Sequence, residues 1–505
     1  MFKFFTLLAL SQSPDPLYLE SLYSRQDPLS LTKQLYFYTQ YPNTHEGQRA
    51  KKKILELLDI SSLDPLMPIE LNSILFEELL KAVFKTTTNP ILLDTPSINF
   101  INNLSLNHKN RALKGSSYLT REELEKGDTC DIDVGRGMLV LAFGQESEGK
   151  EKILSYEAVL DFMALCVKAR LCKEATNEEK VHAMNHFIFY ELGYRFPAHS
   201  EHEEKIDTYT LLPSVLDNRQ GVCLGVSLLY YALAQRLGLD LDIYTPPGHI
   251  FLSLHEDLNI ETTARGIHMP IEAYLSLHVK SLNKRTQKEL LGMALFNQSS
   301  VFLKKQDFKK AADLYEKALA FIPDDPQILE LLGSCYLMDK QLAKTHKVFT
   351  KLQKIKEKTL LTSNYIVEDF FKGYITPEGL QAIFKDVDSD MQSLINKSYE
   401  LETIHKKSPK FRSALYQLGI TYLQLHQYEK AFLALEKLYS QADDDPALVY
   451  YLTQLSLIRF DRPKTLLYKE KLKFLIKKHD YNPQAVQRLL EEIEHLWPSG
   501  FDTNL

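Results

Sequence analysis

The chain has 505 residues, 44% hydrophobic and 25% charged, with 60 basic against 66 acidic side chains and a net charge of −6. At ~100–200 residues per domain, that length predicts about three domains, and the balanced composition excludes wholesale disorder or a fibrous repeat. The mild negative charge speaks against a dedicated nucleic-acid binder, and no apolar run approaches the ~18 residues that cross a bilayer. The five cysteines (Cys130, Cys166, Cys172, Cys223 and Cys335) are scattered without a CxxC pair. That usage supports neither a zinc cage nor a disulfide framework and fits a reducing compartment. Met1-Phe2-Lys3 followed by the apolar Phe4 to Leu10 has the outline of a short export signal, yet Ser11 to Pro16 lacks a small-x-small cleavage site. Cytoplasmic residence is the expectation, with export the lesser alternative.

The first region, 1–130, reads as helical segments with polar breaks. Leu55, Leu57 and Leu58 form one apolar group, and Ile74, Leu75, Phe76, Leu79, Leu80, Val83 and Phe84 recur at helical spacing. Thr86 to Pro90 stops a helix, because proline lacks a donor and biases the residue before it away from helix. No chemistry is evident here, and the expectation is a helical cap or packing module.

The second region, 131–285, is mixed. Helices are predicted over Tyr156–Leu171, over Val181–Leu192 with Gly193 as C-cap, and over Val222–Leu237 ended by Gly238. Leu239–Ile243 alternates with period two and predicts a strand. The Pro246-Pro247-Gly248 turn then leads to a second strand from His249 to Leu254, and a third runs from Asn259 to Thr263.

The third region, 286–505, is helical and partly periodic. Ala311, Tyr315 and Ala318 are followed by Leu329, Leu332, Gly333 and Tyr336, and Tyr315 and Phe349 stand 34 residues apart, the tetratricopeptide period. A further unit carries Leu415, Leu418, Gly419, Tyr422 and Ala431. The 86 residues between Gly333 and Gly419 are no multiple of 34, so an irregular helical insert is predicted. The pattern resembles tetratricopeptide repeats, in which small residues let paired helices approach. It weakens beyond Pro446.

The stretch Asn218-Arg219-Gln220-Gly221-Val222-Cys223 places a cysteine at a helix start, where unpaired amides and the dipole favour the thiolate. A thiol nucleophile needs a base, and the base an orienting partner. His249 at a strand entry and Glu261 on the returning strand supply these types. Direct opposition would require a hairpin centred on His255, which common hairpins allow. The duller explanations are a buried cysteine acting as a small hydrophobe, a histidine satisfying a turn and a glutamate facing solvent.

On the order Gly221-Val222-Cys223, Arg236-Leu237-Gly238-Leu239, Pro247-Gly248-His249 and Ile260-Glu261, residues 131–267 resemble the transglutaminase-like, papain-type thiol fold, specifically its bacterial SirB-like branch. Asn185 to Tyr194 and Val215 to Arg219 fit the same branch. The resemblance implies an α+β chain: a central helix packed on a small antiparallel sheet, followed by a C-terminal α-solenoid of tetratricopeptide-type helix pairs. It also implies acyl transfer by a Cys223–His249–Glu261 triad, with the Cys223 amide and the Asn218 or Gln220 side chain as oxyanion donors. Two departures stand out. Glu261-Thr262 replaces the family's usual Asp-Pro, and many members of this branch have lost the nucleophile that this chain keeps.

Two functions are therefore expected: a thiol hydrolase or acyltransferase, or a non-enzymatic adaptor. Either takes a protein or peptide partner through the repeats. No cofactor is expected. His182, His186, His199 and His202 lack an HExxH pattern and read as a solvated loop rather than a metal site. Lys304, Lys305, Lys309 and Lys310 read as an exposed repeat face rather than a nucleic-acid patch, and oligomeric state is left open.

Overall fold

Short polar side chains decide where many of the helices begin. Ser30, Thr44, Asp94, Thr120, Asp133 and Thr176 each accept a hydrogen bond from a backbone amide of the first helical turn, satisfying donors that have no partner inside the helix. The computed structural model describes residues 15–60, 73–84, 92–197, 209–255, 258–275, 279, 281–355, 365–385, 387, 391–481 and 483–498. The export-signal-like start at 1–14, the expected helix break at 86–90 and the polar loop with His199 and His202 lie outside them. The chain is α+β and forms two compact units. One comprises Met1–Glu201, Leu211–Leu241 and Thr262–Gly266; the other comprises His202–Thr210, Asp242–Glu261 and Ile267–Leu505.

The first unit contains α1 (Pro16–Ser24), α2 (Leu31–Gln40), α3 (His45–Leu57), α4 (Ser73–Phe84), α5 (Thr95–Leu104), α6 (Arg121–Lys126), α7 (Val134–Phe143), α8 (Gly149–Lys168), α9 (Asn177–Asn185), α10 (Leu212–Asn218) and α11 (Cys223–Leu237). The apolar α11 is buried on nearly every side, packs against α7 and α8, and ends at Gly238 in the left-handed conformation, as its sequence predicts. The expected helix to Leu192 instead widens after α9 into a π-helical turn, His186–Glu191. The widened turn carries Glu191 into a cluster with Ser30, Thr32 and Arg170.

Beneath α11 lies a buried charge network. Arg236, wholly buried, donates Nε to Asp161 at 2.7 Å and lies 3.7 Å from Asp133. Arg111 also bonds Asp161, and Arg136 bonds Glu157. Burial alone would raise the Asp161 carboxyl, but Arg236, the His108 contact and Arg111 outweigh it and hold it well below the ordinary range. Removing one partner of such a network costs about 3–5 kcal/mol, because an uncompensated buried charge remains.

The second unit holds a four-stranded antiparallel sheet in the order β3-β2-β1-β4, with β1 (Asp242–Tyr244), β2 (Phe251–His255), β3 (Leu258–Ile260) and β4 (Lys284–Arg285). The strands are shorter than their sequence predicts, for local reasons. The Leu239 amide is used by the C-cap of α11, bonding the Ala234 carbonyl at 2.9 Å, so β1 begins later. The His249 amide closes the proline turn on the Pro246 carbonyl at 3.0 Å, so β2 begins at Phe251. Thr262–Ala264 turns into a 3-10 helix rather than continuing the third strand.

Helical hairpins follow: α12 (Gln287–Lys304) with α13 (Phe308–Leu319), and α14 (Pro326–Met338) with α15 (Leu342–Gln353). The predicted irregular insert is α16 (Tyr365–Phe371), α17 (Pro377–Phe384) and α18 (Met391–Lys407). Then come α19 (Arg412–Gln424) with α20 (Tyr428–Tyr439), α21 (Pro446–Ile458) with α22 (Arg462–His479), and α23 (Gln484–Leu496). Arg285 joins the sheet to the first hairpins, donating to Thr245 at 2.9 Å and to Asp325, the N-cap of α14, at 2.8 Å. Among the described residues, no helix is long and apolar enough to cross a membrane.

Candidate active site

Cys223 is the first residue of α11 and is half-buried. The approach is tight. Arg219 caps α10 in the left-handed conformation (φ 52°), which non-glycine residues seldom adopt. A Cβ on Gly221 would lie 2.8 Å from the Val226 side chain and 3.0 Å from its backbone nitrogen, so only glycine lets the chain enter the helix here. Val222 provides no side-chain cap, leaving first-turn amides of α11 for another acceptor.

Ser227 and Tyr230 follow Cys223 at spacings of four and three, on the same helix face. Ser227 Oγ lies 3.0 Å from Thr262 Oγ1. Tyr230 donates its hydroxyl to Asn185 Oδ1 at 3.0 Å, and Asn185 Nδ2 donates to the Gly266 carbonyl at 3.2 Å. Gly266 (φ 78°) sits so close that an added Cβ would meet Asn185 Oδ1 at 2.2 Å. The segment Thr262–Gly266 is thus clamped onto the face of α11 that carries Cys223.

In the sheet unit, His249 Nε2 lies 2.7 Å from Glu261 Oε2, with the carboxylate nearly buried and the imidazole partly exposed. The two are not directly opposed. Leu252 pairs with Ile260 and Ser253 with Asn259, and an irregularity follows before His255 pairs with Leu258. That register centres the hairpin beyond His255 and sets Glu261 two positions off His249, so the bond is diagonal. Tyr274, which the sequence does not single out, donates its hydroxyl to the same Oε2 at 2.8 Å and stacks on the imidazole, with ring centroids 5.8 Å apart.

The two side chains expected as oxyanion donors differ. Asn218 gives its Nδ2 to the Ser214 carbonyl at 2.8 Å, inside α10. Gln220 has a buried Oε1 with no hydrogen-bond partner among the described residues. His182 lies on α9 and His186 on the π-helical turn, where its ring packs against Tyr190. Among the described residues, no group of three or more His, Cys, Asp or Glu side chains could hold a metal.

Residues 155–304, which take in α11 and the whole sheet, match the family model described as the transglutaminase-like superfamily. The chain carries a transglutaminase-like domain. It is 26% identical over 175 residues to a UPF0162 protein of Xylella fastidiosa strain 9a5c, and 26% identical over 180 residues to a UPF0162 protein of strain Temecula1. Each match takes in 31% of this chain and 61% of the relative, so the chain spans about three fifths of the curated relatives' length. Among solved structures, the MamA RS-1 ArsTM double mutant is similar at 17% identity and a TM-score of 0.20, over 38% of this chain and 97% of that one. Pseudomonas aeruginosa PilF is similar at 12% identity and a TM-score of 0.18, over 42% of this chain and 94% of that one. Within the transglutaminase-like domain, the thiol belongs to one compact unit and the histidine–glutamate pair to the other.

Proposed function

We propose that this protein is a cysteine-dependent acyl-transfer enzyme whose helical repeats recruit a protein or peptide. The observation that carries the reading is the 2.7 Å bond from Glu261 to His249 Nε2. It dedicates one ring nitrogen to the carboxylate and makes Nδ1 the nitrogen for proton exchange. Chain connectivity adds support, because Glu261 is joined by a peptide bond to Thr262, whose hydroxyl meets Ser227, one helical turn along α11 from Cys223.

In this reading His249 takes the thiol proton and Cys223 sulfur attacks an amide carbonyl. The oxyanion is held by the Cys223 amide and by Gln220 Nε2, on a side chain whose buried Oε1 has no hydrogen-bond partner among the described residues. The imidazolium then protonates the leaving amine, and water or a second amine releases the acyl group from the thioester. The working organisation is residues 1–130 as a helical region, 131–285 as the thiol domain and 286–505 as the repeats. Hairpins repeating at the 34-residue period support a peptide-binding array. They support the non-catalytic adaptor equally well, so the thiol itself must decide.

The test is iodoacetamide labelling of the full chain, followed residue by residue, with the exposed Cys130 and Cys172 as internal reference thiols. At pH 6.5 a free thiol is only about 1% thiolate. Cys223 is expected to label at least ~10-fold faster than either reference there, and His249→Ala to abolish the difference. Equal rates at all three, unchanged by His249→Ala, would leave the adaptor.

A further inference from the structure

The plane of the His249 ring is built into the sheet. Tyr244 on β1 and Phe251 on β2 are register partners, and their rings stack at 5.3 Å and 18°. Phe251, fully buried, stacks on Tyr274 at 4.0 Å and 13°, and Tyr274 on His249 at 5.8 Å and 14°. Four nearly parallel rings therefore run from the strand pair to the imidazole. Tyr274 is placed there by the short 3-10 turn Ile271–Ala273, which it closes, and its hydroxyl shares Glu261 Oε2 with the imidazole.

We propose that Tyr274 is the positioning residue of the His249–Glu261 pair, its ring holding the imidazole plane and its hydroxyl setting how firmly Glu261 holds the imidazolium. This rests on the acyl-transfer reading for its purpose, though not for its measurement. A carboxylate oxygen that accepts two hydrogen bonds gives each donor less than it would give one alone. The phenol stays a donor across the working range, because burial and then the bond to Glu261 push its own ionisation far upward. An imidazolium over the tyrosine face also gains cation–π attraction at this separation. The titratable groups that the described contacts bring to His249 are Glu261 and Tyr274, with Cys223 added by the proposed function. Loss of the hydroxyl alone therefore removes one competitor for Glu261 Oε2 and makes the imidazole more basic, while loss of the ring frees its plane.

The full chain labelled with 15N-histidine reports this directly, the His249 signal being assigned by its absence in His249→Ala. Tyr274→Phe, which keeps the stacked ring, is expected to raise the His249 titration midpoint by about half a pH unit or more. Tyr274→Leu is expected to slow Cys223 labelling at pH 6.5 roughly threefold or more, and the phenylalanine variant to retain most of the rate at pH 8. An unchanged His249 midpoint in Tyr274→Phe overturns the inference, whatever the leucine variant does. Wild-type Cys223 labelling in His249→Ala would instead sink the acyl-transfer reading, while the histidine signal would still decide what Tyr274 does.

Discussion

Asp217, six residues before the thiol, shows how burial tunes a single group. Tyr156 donates its hydroxyl to both carboxylate oxygens, at 2.9 and 2.7 Å, yet burial outweighs that bond and pushes the Asp217 carboxyl up to about 6. An unfolded aspartate titrates near 3.9. The folded state therefore binds this proton more tightly, and the group's contribution to stability is complete below about pH 4 and lost as pH rises through about 6. Asp217→Asn keeps an acceptor for Tyr156 and removes the charge. Thermal unfolding should show the variant more stable than wild type at pH 7.5 by about 1 kcal/mol, discounted for partial exposure, with the gap closing toward pH 4.5. A pH-independent difference would contradict the assignment.

Among the site residues, the cysteine at the helix start and the His–Glu pairing are legible in the sequence, because a glycine entry, an apolar helix and a two-strand return each leave a local trace. The register is less so. It sets Glu261 diagonal to His249, a reach that suits the length of a glutamate side chain. Tyr274 leaves no trace at all, since its meeting with Glu261 arises from a turn after β3 and has no period to betray it.

At the scale of elements, the hairpins repeat more faithfully than their side chains do. The turn inside each carries a non-glycine residue in the left-handed conformation: Gln306, Lys340, His426 and Phe460, with spacings of 34 residues within each pair. The close approach between paired helices is made at Gly333 against Phe349 and at Gly419 against Leu435. One period after Gly419 stands Thr453, buried, its hydroxyl returned to the Val449 carbonyl at 2.7 Å. One period after Leu435 stands Lys469, nearly buried and paired with Glu494 at 3.0 Å. The fourth hairpin is thus complete, while both residues that advertise the motif are replaced, which is why the pattern fades beyond Pro446. A Cβ on Gly333 would lie 2.2 Å from the Phe349 ring, itself fully buried. Gly333→Ala should therefore cost about 1–3 kcal/mol in urea unfolding of the full chain, and an unshifted midpoint would show that the helices are not held that closely.

On the scale of the whole molecule, the N-terminal helices are not an appendage. Ser30 and Thr32 bond Glu191, and Arg111 reaches the buried Asp161 beneath α11. Contacts between residues so far apart in the chain leave no periodic signal, so region 1–130 reads as featureless packing until its polar partners are known. The thiol and the histidine proposed as its base lie in separate compact units, joined by the peptide bonds at 201–202, 210–211, 241–242, 261–262 and 266–267. Their meeting is the central claim, and dibromoacetone, whose two reactive carbons flank a single carbonyl, tests it most directly. Treated at low molar ratio and digested, the native chain should yield one peptide pair bridged between Cys223 and His249, absent from His249→Ala and from unfolded protein. If Cys223 carries only one-ended adducts, or bridges to some other side chain, the catalytic account is contradicted.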